Sequence, residues 1–242
     1  MKCKATIGCV AAMLVADGTS ASESEWYGSL KAGYLFGDGE AILIGTTSSV
    51  YGGFPSIAMD NGGEISIATG RLMPNGWRLE AELGFLNLDT DSGVVSGLDD
   101  RADDSFRLDG SVDSTVLMFN TLIDLNVNSE RFTPYLKAGI GLARNEAQAS
   151  LDVEYASAIW NGTSLEGQSA SGIPYSDAFE TSFAWNIGAG VRTALTDRFL
   201  MTLEFGFVDL GDAVTAIDEN NDAVEFSDLS SQRLLLGLNY RF

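Results

Sequence analysis

Apolar and polar residues alternate through Gln232–Phe242. Leu234, Leu236, Leu238, Tyr240 and Phe242 share one face, and Arg233, Leu235, Gly237, Asn239 and Arg241 the other. A period of two predicts a β-strand with one strongly apolar face. The same alternation predicts seven earlier strands: Trp26–Phe36, Gly63–Met73, Trp77–Leu88, Val112–Val127, Thr133–Arg144, Ser182–Leu195 and Phe199–Val208. The second is the weakest, with Ile65 and Ile67 as its apolar positions. Each segment is long enough to cross a hydrocarbon core, which takes about 9–11 tilted strand residues. The faces opposite the apolar ones carry Lys, Arg, Glu and Gly, so the polarity is that of a barrel whose outside meets lipid. A soluble barrel carrier would line its cavity with apolar residues instead.

The connections sort by parity. Those after strands two, four and six are short: Pro74-Asn75-Gly76, Asn128–Phe132 and Thr196-Asp197-Arg198. Those after strands one, three, five and seven are long, covering 37–62, 89–111, 145–181 and 209–229. Short turns at one rim and long loops at the other are the outer-membrane arrangement, with the short side periplasmic. The pattern therefore predicts an all-β fold: an eight-stranded antiparallel transmembrane up-and-down β-barrel with short periplasmic turns and long extracellular loops. Outward Trp26, Tyr34, Phe36, Trp77, Phe85, Trp185, Phe199, Tyr240 and Phe242 would form two interfacial aromatic girdles.

The N-terminus changes the domain picture. Lys2 and Lys4 precede the apolar run Ala5–Ala16, and small residues follow at Thr19-Ser20-Ala21, which predicts a signal peptide over 1–21 and a barrel domain over 22–242. Both cysteines, Cys3 and Cys9, fall in that segment, so the barrel has no thiol chemistry. The chain has no histidine, which removes His-dependent triads, His-ligated metals and histidine acid–base catalysis. Charge sorts with the loops. Residues 37–62, 89–113, 145–180 and 209–229 hold 24 acids against Arg101 and Arg107, and the rest of the mature chain is close to neutral. That rim disfavours nucleic acid and attracts cations.

The interior is where candidate chemistry collects. Lys31, Arg78, Glu80, Glu82, Lys137, Arg192, Glu204 and Arg233 all point inward, interleaved with glycines. Eight strands enclose an interior just wide enough for side chains to fill. Glycines leave room for long side chains to pair across the middle, and unpaired charges there would cost several kcal/mol each. The expectation is a charge network that fills the barrel, with a narrow ion path as the alternative. In the loops, Asp89 and Asp91, and Asp218, Asp222 and Glu225, are spaced as weak candidates for a divalent cation, without a full calcium-loop signature. No cofactor is expected and no catalytic residue emerges.

Thr133-Pro134-Tyr135-Leu136-Lys137-Ala138-Gly139-Ile140-Gly141-Leu142-Ala143 and Phe183-Ala184-Trp185-Asn186-Ile187-Gly188-Ala189-Gly190-Val191 resemble paired strand motifs of opacity-like, porin-family outer-membrane β-barrels, related to the OmpA-like transmembrane domain. The ending with Gly237, Tyr240 and Phe242 resembles the terminal signal read by the barrel-assembly machinery. Leu235 departs from that signal, which usually has a polar residue there. The resemblance spans essentially the mature chain and implies a barrel rather than an activity, with no appended peptidoglycan-binding domain. It implies residence in the cell outer membrane, contact with outer-membrane lipid and lipopolysaccharide, and assembly by that machinery. The expected role is a non-catalytic structural surface protein whose acidic loops offer contacts to divalent cations, surfaces or a host. The alternative is a narrow ion or small-solute channel.

Overall fold

A computed structural model describes residues 26–45, 56–73, 76–90, 94–96, 105–127, 131–155, 159–160, 163–164, 168–217 and 221–242. The expected signal peptide lies outside them. Eight long strands follow one another: β1 (Trp26–Gly45), β2 (Ile57–Leu72), β3 (Trp77–Thr90), β4 (Ser105–Asp124), β5 (Phe132–Tyr155), β6 (Gln168–Ala194), β7 (Phe199–Asp209) and β8 (Asp222–Arg241). Each pairs antiparallel with its sequence neighbour, and β8 returns to pair with β1 from Tyr27↔Arg241 to Gly45↔Asp222. The ring is closed, so every long strand has partners on both sides and no edge is left for unsatisfied backbone groups in an apolar medium.

At the turn end the chain reverses tightly. Met73 N–H donates to Trp77 O at 2.8 Å and Leu195 N–H to Phe199 O at 2.9 Å. Thr196 Oγ1 accepts from Phe199 N–H at 3.0 Å, satisfying a turn donor the ladder cannot reach. Closure at this end is completed by Phe242 N–H donating to Trp26 O at 3.0 Å.

The strands run further toward the loop end than the apolar alternation predicts. β5 and β6 span 24 and 27 residues, and much of the expected loops 37–62, 145–181 and 209–229 is strand or paired backbone. The physical reason is a change of solvent along the same strand. Near the turn end, outward positions are large and apolar: Phe119 is 62% exposed and Ile140 61%. Towards the loop end the outward positions turn polar, with Asp38, Glu40, Asp60, Asp113, Glu146 and Glu180 there. Their inward neighbours turn apolar: Leu35, Ala41, Leu43, Leu86, Leu88, Val112, Val116, Ala143 and Ala147 are all buried in one cluster. The faces swap roles, so a search for outward apolar residues stops where the lipid does.

The loop end is closed by the segment after β7. Leu210 is fully buried, and Ala213–Val214 forms a short strand against Phe226 and Glu225 of β8. Asn145 on β5 donates its side-chain amide to Leu210 O at 2.9 Å and to Asp212 O at 3.1 Å, tying this segment to the far wall. Leu210, Phe226 and Leu229 thereby join the apolar fill.

Candidate functional site in the barrel interior

The inward face is layered along the axis. Nearest the turns, Arg78 Nη2 donates to Asp124 Oδ1 at 2.9 Å and Arg192 Nη2 to Asp124 Oδ2 at 2.7 Å, so one carboxylate bridges two guanidinium groups. The Arg78 guanidinium also lies 4.6 Å above the Tyr135 ring and 5.9 Å from the Tyr27 ring. Cation–π contact of this kind offsets part of the loss of hydration of a buried arginine.

The middle layer is a single connected network. Lys31 donates to Glu80 Oε1 at 2.8 Å and also to Glu82 Oε2. Lys137 donates to Glu82 Oε2 and to Glu204 Oε1, both at 3.0 Å. Arg233 donates to Glu64 at 3.1 and 3.3 Å and lies 3.8 Å from Glu82 and 3.7 Å from Glu204. All seven ions are buried. With Arg78, Arg192 and Asp124, the two layers hold five cations and five anions, a balance that burial in a narrow interior demands.

Two tyrosines knit the layers together in the same way on opposite walls. Tyr27 O–H donates to Glu80 Oε2 at 2.9 Å and Tyr135 O–H to Glu204 Oε2 at 3.0 Å. Each tyrosine is in register with a glycine on the next strand, and that glycine with the glutamate beyond it: Tyr27↔Gly70↔Glu80 and Tyr135↔Gly190↔Glu204. A Cβ at Gly70 or Gly190 would run into the tyrosine ring, so the missing side chain is what lets each ring lie across the strand. Asn186 donates to Asn120 Oδ1 at 2.9 Å, and Asn120 leans toward Glu82 at 3.4 Å, filling the remaining wall.

Of the expected inward residues, Lys31, Arg78, Glu80, Glu82, Lys137, Arg192, Glu204 and Arg233 all line the interior. The reading that Lys, Arg, Glu and Gly line it describes the turn-end half and needs correction at the loop end, where the lining is apolar. Arg233 pairs chiefly with Glu64 rather than with the glutamates of β3 and β7. Glu64 and Asp124 are absent from the sequence-derived site. Both are detectable by parity: Glu64 alternates with Ile65 and Ile67, and Asp124 is even-numbered like inward Asn120.

Gly237 faces inward against Thr202 and Lys31. Tyr240 stacks between Phe199 and Phe242, with ring centroids 5.1 and 5.4 Å apart. Among the loop acids, Asp91 and Asp218 lie outside the described residues. Asp89 is exposed on β3, Asp222 is buried at the start of β8 beside Gly45, and Glu225 lies opposite Val214. Among the described residues no group of acids is arranged to hold a metal ion.

Chemically, the interior holds its charges as ion pairs and leaves little free volume beside them. The cavity that borders the charged layers has a volume of about 10 Å³, room for one water-sized occupant. Above the network, Leu86, Leu88, Val116, Met118, Val208 and Phe226 close the lumen with side chains at most 5% exposed.

Residues 5–242 match the family model of the outer membrane protein beta-barrel domain. Outer membrane protein PagN of Salmonella typhimurium is 26% identical over 218 residues, covering 85% of this chain and 78% of PagN. Among solved structures, the outer membrane protein OprG of Pseudomonas aeruginosa is 12% identical, with 90% of this chain and 96% of OprG covered and a TM-score of 0.54. Neisserial surface protein A is 16% identical, with 91% and 100% covered and a TM-score of 0.45.

Proposed function

This chain belongs to the outer membrane protein β-barrel domain family, and from that premise we propose that it is a closed structural barrel presenting an acidic wall and loops at the cell surface. Its residence in the outer membrane and its lipid-facing apolar belt follow from the family and the fold. The observation that carries the proposal is the filled lumen: two ionic layers, charge-balanced together, beneath an apolar plug. A conducting pore needs a continuous polar, hydrated path, and a dry constriction gates such a path shut. The charge network is in this reading a register device that also spaces the walls, and no residue is assigned a catalytic role.

The surface role rests on the strand extensions. The lipid crossing consumes about 9–11 residues per strand, so more than half of β5 and β6 stands outside it. Outward acids on these extensions build a negative potential that recruits cations and cationic surfaces, with adhesion as the use it serves. Residues 1–21 serve as the export signal and 22–242 as the barrel. Gly237, Tyr240 and Phe242 are read by the assembly machinery, and lipopolysaccharide surrounds the outer half of the belt.

The runner-up is a narrow ion channel, favoured by the unbroken run of shared ion pairs from Arg233 through Glu204 and Lys137 to Lys31. Partner exchange within that run would pass charge from one pair to the next. Planar-bilayer recording with the refolded protein decides between the two. The structural reading expects a silent baseline, and steady unitary currents would sink it.

A further inference from the structure

The outward face of β4 and β5 carries two clefts, one above the other, beyond the lipid belt. Phe85, Asp113, Thr115, Arg144 and Glu146 line the lower, of about 430 Å³. Asp89, Asp109, Ser111, Gln148, Ser150 and Pro174 line the upper, of about 450 Å³. The register makes them one furrow, because Thr115↔Arg144, Asp113↔Glu146, Ser111↔Gln148 and Asp109↔Ser150 are successive outward pairs of one ladder. At about 3.4 Å per residue it runs about 20 Å along the strands. The outward pairs directly below are Leu117↔Leu142 and Phe119↔Ile140, each residue at least 45% exposed. These belong to the belt, so the foot of the furrow stands at the height of the lipid headgroups.

Charge at that height is uneven. Just above the belt the outward residues include Asp38 on β1, Asp60 on β2, Asp113 on β4 and Asp209 on β7, against Arg144 on β5. Anionic headgroups are repelled by most of this wall and attracted at Arg144. Its guanidinium lies 4.1 Å from the centre of the exposed Phe179 ring. A guanidinium stacked on a ring keeps its N–H donors at its edge, where they meet a phosphate bidentately. Among the described residues Arg144 makes no ion pair: Asp113 accepts from Asn87 at 2.9 Å, and the outward Arg107 lies 3.2 Å from Asp109. We propose that Arg144 and the furrow above it bind one phosphorylated glycolipid of the outer leaflet. Its phosphate lies on the guanidinium, its acyl chains along Leu117 and Leu142, and its sugar in the furrow. Ser111, Gln148 and Ser150 donate to and accept from sugar hydroxyls, and Asp89 and Asp109 accept from them. Asp113 and Glu146, directly opposed in the ladder, repel each other and any second phosphate, which confines the phosphate to the foot. The inference rests on the proposed placement of the loop end at the cell surface, and it is independent of whether the lumen conducts.

The test uses the full barrel refolded in phosphatidylcholine vesicles that carry short-core lipopolysaccharide and an equal amount of phosphatidylglycerol. Lipid retained after extraction in mild detergent is quantified by mass spectrometry. Arg144→Gln should retain about tenfold less lipopolysaccharide than the native barrel, the loss of one charge-assisted contact. Phosphatidylglycerol should be retained alike by both, and Arg107→Gln should match the native barrel. Gln148→Trp, which fills the upper cleft, should lower retention of the core-bearing lipid but not of lipid A without its core. Gel mobility of unboiled samples shows that each variant is folded, so a lost lipid is not a lost barrel, and currents through the lumen would leave these results unchanged. Equal lipopolysaccharide retention by the native barrel and Arg144→Gln overturns the proposal. An equal fall in phosphatidylglycerol overturns it too, leaving a general anion contact only. Unchanged retention in Gln148→Trp would put the sugar outside the furrow and sink it as well.

Discussion

Glu82 is the acid on which three cations converge: Lys31 and Lys137 donate to it, and Arg233 lies 3.8 Å away. Lys31 retains Glu80 and Lys137 retains Glu204 if its charge is removed, but the balance of the layer is lost. Glu82→Gln preserves volume and strips one charge, and should cost about 3 kcal/mol, the lower end for breaking a buried pair. Urea unfolding in lipid vesicles measures it, and an unchanged midpoint would mean that lumen water screens the network. Gly190 gives a second residue-level test. Gly190→Ala places a methyl group against the Tyr135 ring and should cost about 1–3 kcal/mol by overpacking. Tyr135→Leu in the Gly190→Ala background should recover part of that loss, because contacting sites couple. Additive losses in the double variant would show that the ring is free to move aside.

The closing strand β8 separates two tasks within one element. Its inward residues serve packing: Arg233 pairs with Glu64, and Gly237 leaves room for Thr202 and Lys31. Its outward terminal aromatics make little internal contact area, since Phe242 is 78% exposed. Phe242→Ala should therefore leave the barrel refolded in detergent nearly as heat-resistant as native, while lowering the folded fraction recovered from outer membranes several-fold. Comparing unboiled and boiled gel mobility in the two preparations checks this. Equal losses in both would assign Phe242 to stability rather than to assembly. The element scale is also where sequence legibility is best and where it fails. The eight crossings are readable because lipid demands an apolar residue at every outward position, as Leu234, Leu236 and Leu238 supply. Glu64 is obscured because only Ile65 and Ile67 mark the outward face of β2. The extensions are obscured because their inward residues include small ones such as Ala41, Ala147 and Ala149, which give no strong alternation. The pairing of Arg233 with Glu64 crosses 169 residues of sequence and depends on barrel closure, which no local pattern encodes.

Across the whole molecule, one continuous sheet is immersed in two solvents, and its inside and outside exchange character where the solvent changes. In the belt the lumen is ionic and the exterior apolar; beyond it the core is apolar and the exterior acidic. The boundary is set by burial energetics rather than by any break in the backbone, so the cost of a lysine should depend on both face and height. Leu203→Lys, on the lipid face midway along β7 and 52% exposed, should cost about 2–4 kcal/mol, as for a charge near the bilayer midplane. Ile44→Lys, outward on β1 and 37% exposed but above the belt, should cost close to nothing. Its neighbour Leu43, 1% exposed and inward, should be the most damaging of the three, because lysine there would displace packed apolar side chains and put a charge into the apolar plug. Unfolding midpoints in vesicles for the three variants test this order. If Ile44→Lys is as costly as Leu203→Lys, the lipid reaches higher than the change of polarity implies. If Leu43→Lys is tolerated, the plug is hydrated, and the closed-barrel reading falls with it.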